Sequence, residues 1–285
     1  MITRFAPSPT GPLHLGHAYS ALYASDLARK SGGTFLLRIE DIDQSRARPL
    51  WEAQIYDDLH GLGLDWPTPV MRQSERIPAY QGALKALAKQ GLLYECSCNR
   101  RDIAAAMSAP QEGAELPIGP DGLVYPGTCR GKKVDVSVDS DHSLRLDLAK
   151  AFATIKKPLS FEENLFNPGQ INLDPEVKIA TVGDVVLARK GMGTSYHLSV
   201  VVDDAAQGVT DVVRGEDLFD ATAIHVLLQA LLGLPTPRYH HHRLIRDAAG
   251  KRLAKRDDAR AIAKFREDGL TSADIREMVS LPAAP

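Results

Sequence analysis

Residues Arg4 to His17 read R-F-A-P-S-P-T-G-P-L-H-L-G-H. Thr3 to Ala6 has the length and composition of a short buried strand. It opens into a turn in which Pro7, Pro9, Gly11 and Pro12 fix a sharp, rigid loop. His14 to Lys30 follows as a helix, with Ala21, Leu22, Ala24, Ser25 and Ala28 at helical spacing and Gly32-Gly33 as its stop. The start of that helix presents unpaired N–H groups and a positive dipole end to the loop, which makes an anion site. His14 and His17 are three residues apart and share a helix face. Gly16 carries no side chain and would let a flat base or ribose approach the backbone. Two imidazole N–H donors beside a helix N-terminus suit a phosphate under displacement, because charge grows on its equatorial oxygens in the transition state. ATP chemistry is the expectation.

Outward from this unit, Thr34 to Ile39 (T-F-L-L-R-I) reads as a buried strand and Pro49 to Leu62 as a helix with proline in its first turn. Ser74 is the expected N-cap of a helix running to Gln90, which Gly91 ends. Strand and helix alternating at these lengths predict an α/β fold: a Rossmann-like parallel sheet with helices on both faces. From Cys96 to about Lys190 the pattern changes, with Gly and Pro clustered at Pro110 to Gly122 and an isolated β-like piece at Ser143 to Leu148. The strand-like alternation resumes at Ser199 to Asp203 (S-V-V-V-D) and Val209 to Val213, before a helix from Ala221 to Leu232. The expected division is a catalytic half over 1–95, an inserted subdomain over 96–190, the second catalytic half over 191–237, and a basic loop with a helical tail over 238–285.

At 285 residues the chain suggests about two domains, and its 44% hydrophobic and 25% charged content is that of an ordinary globular protein. A net charge of −2 excludes a generally polyanion-binding surface. Nucleic acid would need a local patch, and Arg238 to Arg260 offers one, with eight Arg or Lys against three Asp. Three cysteines and no apolar leader after Met1 point to a reducing, cytoplasmic setting. The longest nearly apolar run, His225 to Leu234, is too short to cross a bilayer, so no membrane partner is expected.

The opening segment resembles the first signature of class I aminoacyl-tRNA synthetases, in the P-S-P-T-G-x-x-H-x-G-H form of the glutamyl and glutaminyl branch. Arg38 to Asp43 (R-I-E-D-I-D) is similar to that branch's R-I-E-D-T-D, with Ile42 in place of Thr. Val213 to Leu218 (V-R-G-E-D-L) resembles its R-G-x-D-L element. Gly250 to Arg256 (G-K-R-L-A-K-R) resembles its second signature, K-L-S-K-R. There Arg252 stands for the first Lys and Ala254 for Ser, while Lys255 is kept; the frame also allows Lys251 the first role.

The resemblance implies a ligase that activates L-glutamate with ATP, which enters with Mg2+. A carboxylate is anionic near neutral pH, so its attack on the α-phosphorus needs no general base. His14, His17 and Lys255 are the implied catalytic groups, and these three with Gly16 are the ATP contacts. Selecting glutamate over glutamine needs a cation. Arg4 and Arg214 both sit at strand ends where α/β sheets bind ligands, and a guanidinium reads a carboxylate in two-pronged fashion. Glu40 would hold the substrate's ammonium, Tyr196 would close the pocket, and Ala6 and Ser8 complete the implied glutamate contacts.

Cys96 and Cys98 form a C-x-C, and Cys129 closes Y-P-G-T-C. A disulfide across C-x-C is strained, whereas three thiolates and a fourth donor would make a tetrahedral zinc site. Tyr125 is the nearest fourth donor and His142 the alternative; three buried reduced thiols would give the same spacing. The pattern resembles the zinc site of glutamyl-Q tRNA(Asp) synthetases, shortened paralogues of glutamyl-tRNA synthetase, which implies structural Zn2+ on Cys96, Cys98, Tyr125 and Cys129. About thirty residues follow Lys255, too few for another domain, so no anticodon-binding domain is expected. The implied acceptor is then the queuosine base at the wobble position of tRNA(Asp), and the enzyme is expected to act as a monomer. A truncated glutamyl-tRNA synthetase charging a tRNA 3′ end, or a small-molecule nucleotidyltransferase, remains open at this point.

Overall fold

The proline-rich loop leaves the carboxyl end of a central strand. In the computed structural model, which describes residues 1–108, 117–120, 122–134, 136, 141–246 and 260–285, strand β1 (Ile2–Phe5) pairs in parallel with β2 (Thr34–Ile39). Helix α1 (Leu15–Lys30) connects them and buries Ala18, Ala21, Leu22 and Ala24 completely; small side chains let it lie close against the strands. The chain continues through α2 (Pro49–Gly61), β3 (Met71–Arg72), α3 (Ile77–Lys89), β4 (Leu93–Cys96), α4 (Arg100–Ser108), β5 (Ile118–Gly119), β6 (Gly122–Leu123), β7 (Ser143–Leu146) and α5 (Leu148–Thr154). Then come β8 (Ser160–Glu163), β9 (Gly169–Asn172), α6 (Pro175–Thr181), β10 (Val186–Ala188), α7 (Tyr196–Ala206), β11 (Asp211–Gly215), α8 (Thr222–Leu232), β12 (Arg238–His242), α9 (Ile262–Glu267) and α10 (Ser272–Met278).

The main sheet has seven strands in the order β3-β2-β1-β11-β12-β8-β9, parallel except for the β8–β9 hairpin at one edge. Helices cover both faces, as expected. Val213 joins a cluster built from α1, α2, α9 and α10, while its neighbour Val212 packs with Ala223 and Val226 of α8. Adjacent strand residues point to opposite faces, so β11 is buried on both. Among the described residues no helix is long and apolar enough to cross a membrane.

Three local expectations differ from the structure. Ser199 to Asp203, read as strand-like, lies inside helix α7. Each valine gives up a few tenths of a kcal/mol of intrinsic preference there. Full burial of a valine recovers roughly 1.5–3 kcal/mol; Leu198, Val200 and Val201 are buried, and Val202 is partly so. Ser74 is not an N-cap. It sits in the 3-10 turn Gln73–Arg76, and its N–H and hydroxyl donate to Asp41 at 2.8 and 2.6 Å, so α3 begins later. The stretch 96–190 does not keep to itself either. β7 pairs with β4 and β10 in a separate antiparallel sheet, but β8 and β9 extend the main sheet, where Phe161 and Leu173 are buried beside Val212 and Tyr239.

Candidate active site and metal centre

His14 is the N-cap of α1. Its Nδ1 accepts from the Gly16 N–H at 3.1 Å, and the Nδ1 of His17 accepts from the His14 N–H at 3.1 Å, so the two imidazoles close a reciprocal cap. With both Nδ1 atoms acting as acceptors, the neutral rings carry their protons on Nε2, which makes Nε2–H the donor of each. The ring centroids are 3.8 Å apart. Gly16 has a reason beyond ligand access: a Cβ there would lie 3.0 Å from Cε1 of His14, so the ring would have to give by a few tenths of an ångström.

Arg4 and Arg38 converge on one carboxylate that the sequence reading passed over. Asp204 accepts from Nε and Nη2 of Arg4 at 2.9 and 3.2 Å and from Nη1 of Arg38 at 2.7 Å. Arg38 also donates to Glu40 Oε1 at 3.1 Å. Burial raises the Glu40 pKa, and Arg38 and Arg4 work against that rise. Two arginines facing two carboxylates balance. The second Glu40 oxygen makes no hydrogen bond among the described residues, which suits an incoming ammonium.

Arg214 sits otherwise. It is 6% exposed, and it donates from Nε to His241 Nε2 at 3.0 Å, from Nη1 to His225 Nδ1 at 2.9 Å, and from Nη2 to Thr222 Oγ1 at 2.6 Å. Among the described residues none of its partners is a carboxylate. Burial, and Arg214 itself, hold His225 well below the ordinary histidine range. Burial likewise lowers His241, against the pull of Glu163. The cradle is neutral, and the guanidinium charge is left for a ligand.

A cavity of about 640 Å³ brings these groups together. Its wall includes Arg4, Ala6, Ser8, Glu40, Tyr196 and Arg214 on the expected glutamate side, and His14, Gly16 and His17 on the phosphate side. Tyr196 opens α7 with its ring 5.6 Å from that of His225. Lys255, with Lys251 and Arg252, lies outside the described residues. On the near side of that stretch Ile245 lines the cavity, and on the far side the Ile262 N–H donates to the Leu13 carbonyl at 2.8 Å. Gln73 and Ser195 also line the cavity, and neither was anticipated. Gln73 Oε1 and Ser195 Oγ are buried without a hydrogen-bond partner among the described residues. Arg38 could have been found from its place in R-I-E-D; Asp204 could not, once its helix was read as a strand.

Tyr125 hydroxyl is 3.4 Å from Sγ of both Cys96 and Cys98, and Cys98 Sγ is 3.5 Å from Cys129 Sγ. All three sulfurs lie within 4.8 Å of one another. Tetrahedral zinc with bonds of roughly 2.3 Å sets sulfurs about 3.8 Å apart, a spacing close to that of these donors. Burial opposes ionisation of Cys129, but hydrogen bonds from Tyr125 and the Ser97 backbone bring its thiol down to about 6. His142 belongs elsewhere, 3.7 Å from Glu95.

The fold and the paired imidazoles at its central loop define a class I aminoacyl-tRNA synthetase core, and the family described as tRNA synthetases class I (E and Q), catalytic domain, matches residues 1–282. A glutamyl-Q tRNA(Asp) synthetase of Rhodobacter capsulatus is 60% identical over 99% of this chain and 100% of its own length. One from Nocardia farcinica is 41% identical over 99% and 86%. The chain belongs to the glutamyl-Q tRNA(Asp) synthetases, within the E and Q branch of the class I family. Among solved structures, a glutamate tRNA ligase from Elizabethkingia meningosepticum in complex with its amino acid is similar, with a TM-score of 0.74 and 26% identity. The match covers 98% of this chain and 60% of that one.

Proposed function

We propose that this enzyme joins L-glutamate to ATP as glutamyl-adenylate and transfers the glutamyl group to the queuosine base of tRNA(Asp). The acceptor rests on the two relatives named above. The observation that carries the amino acid is Arg214, a buried guanidinium that among the described residues is held by neutral acceptors alone and lines the same cavity as the paired imidazoles. Arg4 is committed to Asp204, so its part in reading glutamate is to shape the cavity wall and lend field.

In this reading the glutamate side-chain carboxylate meets Arg214 and its ammonium meets Glu40, under Tyr196, with Ala6 and Ser8 along the wall. The α-carboxylate oxygen attacks the α-phosphorus of ATP, which enters as its Mg2+ complex, and pyrophosphate leaves. Nε2–H of His14 and of His17 donate to the oxygens where charge grows, and Lys255 adds a point charge on the phosphates. A hydroxyl on the cyclopentene ring of the modified base then attacks the acyl carbon, and AMP leaves. Zinc on Cys96, Cys98, Cys129 and Tyr125 is structural, because four protein donors leave no open position. The enzyme works as a cytoplasmic monomer.

The test uses purified protein, ATP, labelled glutamate, and tRNA(Asp) with and without queuosine. Label is expected only on the queuosine-containing tRNA. Label on bulk tRNA(Glu), or on tRNA(Asp) lacking the modification, would overturn the acceptor. Absence of glutamate-dependent pyrophosphate exchange would overturn the activation step.

A further inference from the structure

Behind Arg214 stands a carboxylate that never touches it. Glu163, at the end of β8, is fully enclosed, and its Oε2 lies 2.5 Å from Nδ1 of His241, while Nε2 of the same ring lies 3.0 Å from Nε of Arg214. The other oxygen, Oε1, accepts from the backbone N–H groups of Leu165, Phe166 and His241 at 2.9, 3.0 and 3.1 Å. The carboxylate therefore has its position fixed from three sides.

The proton positions along this line follow from its two ends. An arginine Nε only donates, so His241 Nε2 must accept. A carboxylate only accepts, so His241 Nδ1 must donate. The ring is thereby held in the Nδ1–H form. On the other side, His225 Nδ1 accepts from Arg214 and its Nε2–H points to His197 Nδ1 at 3.0 Å. Among the described residues three of the five guanidinium N–H groups are used, which leaves one on each terminal nitrogen, the pair that a carboxylate takes in a two-pronged contact. Direct contact with Glu163 would have neutralised that charge. One interposed imidazole keeps the arginine oriented and its charge available.

We propose that Glu163 and His241 are positioning residues for amino-acid selection: Glu163 sets the tautomer of His241, which in turn orients Arg214 toward an acidic side chain and away from its amide. This rests on the reading that Arg214 contacts the substrate carboxylate. The sharp variant is Glu163→Gln, of nearly the same shape. Its amide N–H would donate to His241 Nδ1, which moves the ring proton to Nε2 and sets two donors face to face at Arg214. Pyrophosphate exchange without tRNA reads the result. KM for glutamate should rise at least about tenfold, the glutamate-to-glutamine ratio of kcat/KM should fall by a similar factor, and KM for ATP should stay within about twofold. Equal rises for ATP and glutamate, or unchanged selection in a folded variant, would overturn the proposal. Nitrogen-15 NMR of the histidines in the wild-type chain gives a second test that needs no variant: His241 in the Nε2–H form would overturn it. Arg214→Ala separates the two layers. Selection that survives Arg214→Ala sinks the underlying reading, whereas selection lost there but intact in Glu163→Gln sinks only the relay.

Discussion

Asp204 grips Arg4 with both oxygens, at 2.9 and 3.2 Å, and it is Arg4 that lines the cavity where the substrate carboxylate is to be read. That pair decides between two arginines that the sequence leaves equivalent. Arg4 and Arg38 are matched by Asp204 and Glu40, so a second anion beside Arg4 would be in excess. Among the described residues Arg214 has only imidazoles and a hydroxyl.

Arg214→Ala should therefore abolish glutamate activation without unfolding the protein. Arg214→Lys keeps the charge but loses the planar fork, and kcat/KM for glutamate should drop roughly a hundredfold. Pyrophosphate exchange measures both, with circular dichroism as the check on folding. A lysine variant of near wild-type efficiency would show that charge alone suffices.

Asp204→Asn should be costly in another way. It leaves Arg4 and Arg38, 5% and 0% exposed, without the carboxylate they share, and Glu40 as the carboxylate still hydrogen-bonded to Arg38. Removing one member of a buried ion cluster costs about 3–5 kcal/mol, and urea unfolding should show a loss of that size. A change under 1 kcal/mol would mean the arginines relax to water.

How far the sequence carries the reading can be judged from these same residues. The loop and α1 were legible because proline, glycine and histidine each impose a local geometry, and the sheet because β1, β2 and β11 are short apolar runs. Asp204 was hidden by the run Ser199–Asp203, whose valines favour a strand locally and are helical because buried surface outweighs preference. Glu163 and His241 lie 78 positions apart and meet only because β8 pairs with β12, which no local pattern announces. The cysteine spacing was legible as a motif. Spacing alone left Tyr125 and His142 both open as fourth donor and the resemblance favoured Tyr125; in three dimensions the Tyr125 hydroxyl lies beside the sulfurs and His142 beside Glu95.

For the cysteine cluster, Cys98→Ser should release metal and lower Tm by about 5–10 °C, since ligand binding free energy in such sites is folding free energy. Zinc content by mass spectrometry and a thermal melt report the two effects. Wild-type protein purified from zinc-containing medium with no bound metal would count against the assignment.

Acid should expose the Glu163 network. Burial works against its ionisation, but hydrogen bonds from His241 and three backbone N–H groups bring its pKa from 4.5 down to about 2. A lowered folded pKa gives stability that is present above the unfolded value and is lost as pH falls toward the folded one. The contribution is about 3 kcal/mol near neutrality, and the stability gap between wild type and Glu163→Gln should narrow by about 2 kcal/mol from pH 6 to pH 3. A gap that stays constant would mean the carboxylate is not specially held.

The last prediction concerns the tail. Arg276 of α10 donates to both oxygens of Asp26 on α1, at 2.8 and 2.7 Å, and to the Pro282 carbonyl at 3.0 Å, with both partners 5% exposed. Arg276→Ala leaves Asp26 buried and alone, at a cost of about 3–5 kcal/mol, whereas the double change Asp26→Leu with Arg276→Met replaces both charges with apolar volume and should recover most of that. Activity should respond differently from stability. Asp26 is twelve residues beyond His14, about 18 Å along the helix axis, so losing the clamp does not disturb the imidazole cap at the other end. Arg276→Ala should melt earlier yet keep its pyrophosphate exchange rate well below the transition. A rate that falls in proportion to the lost stability, at temperatures where the variant is folded, would instead make the tail part of the catalytic site.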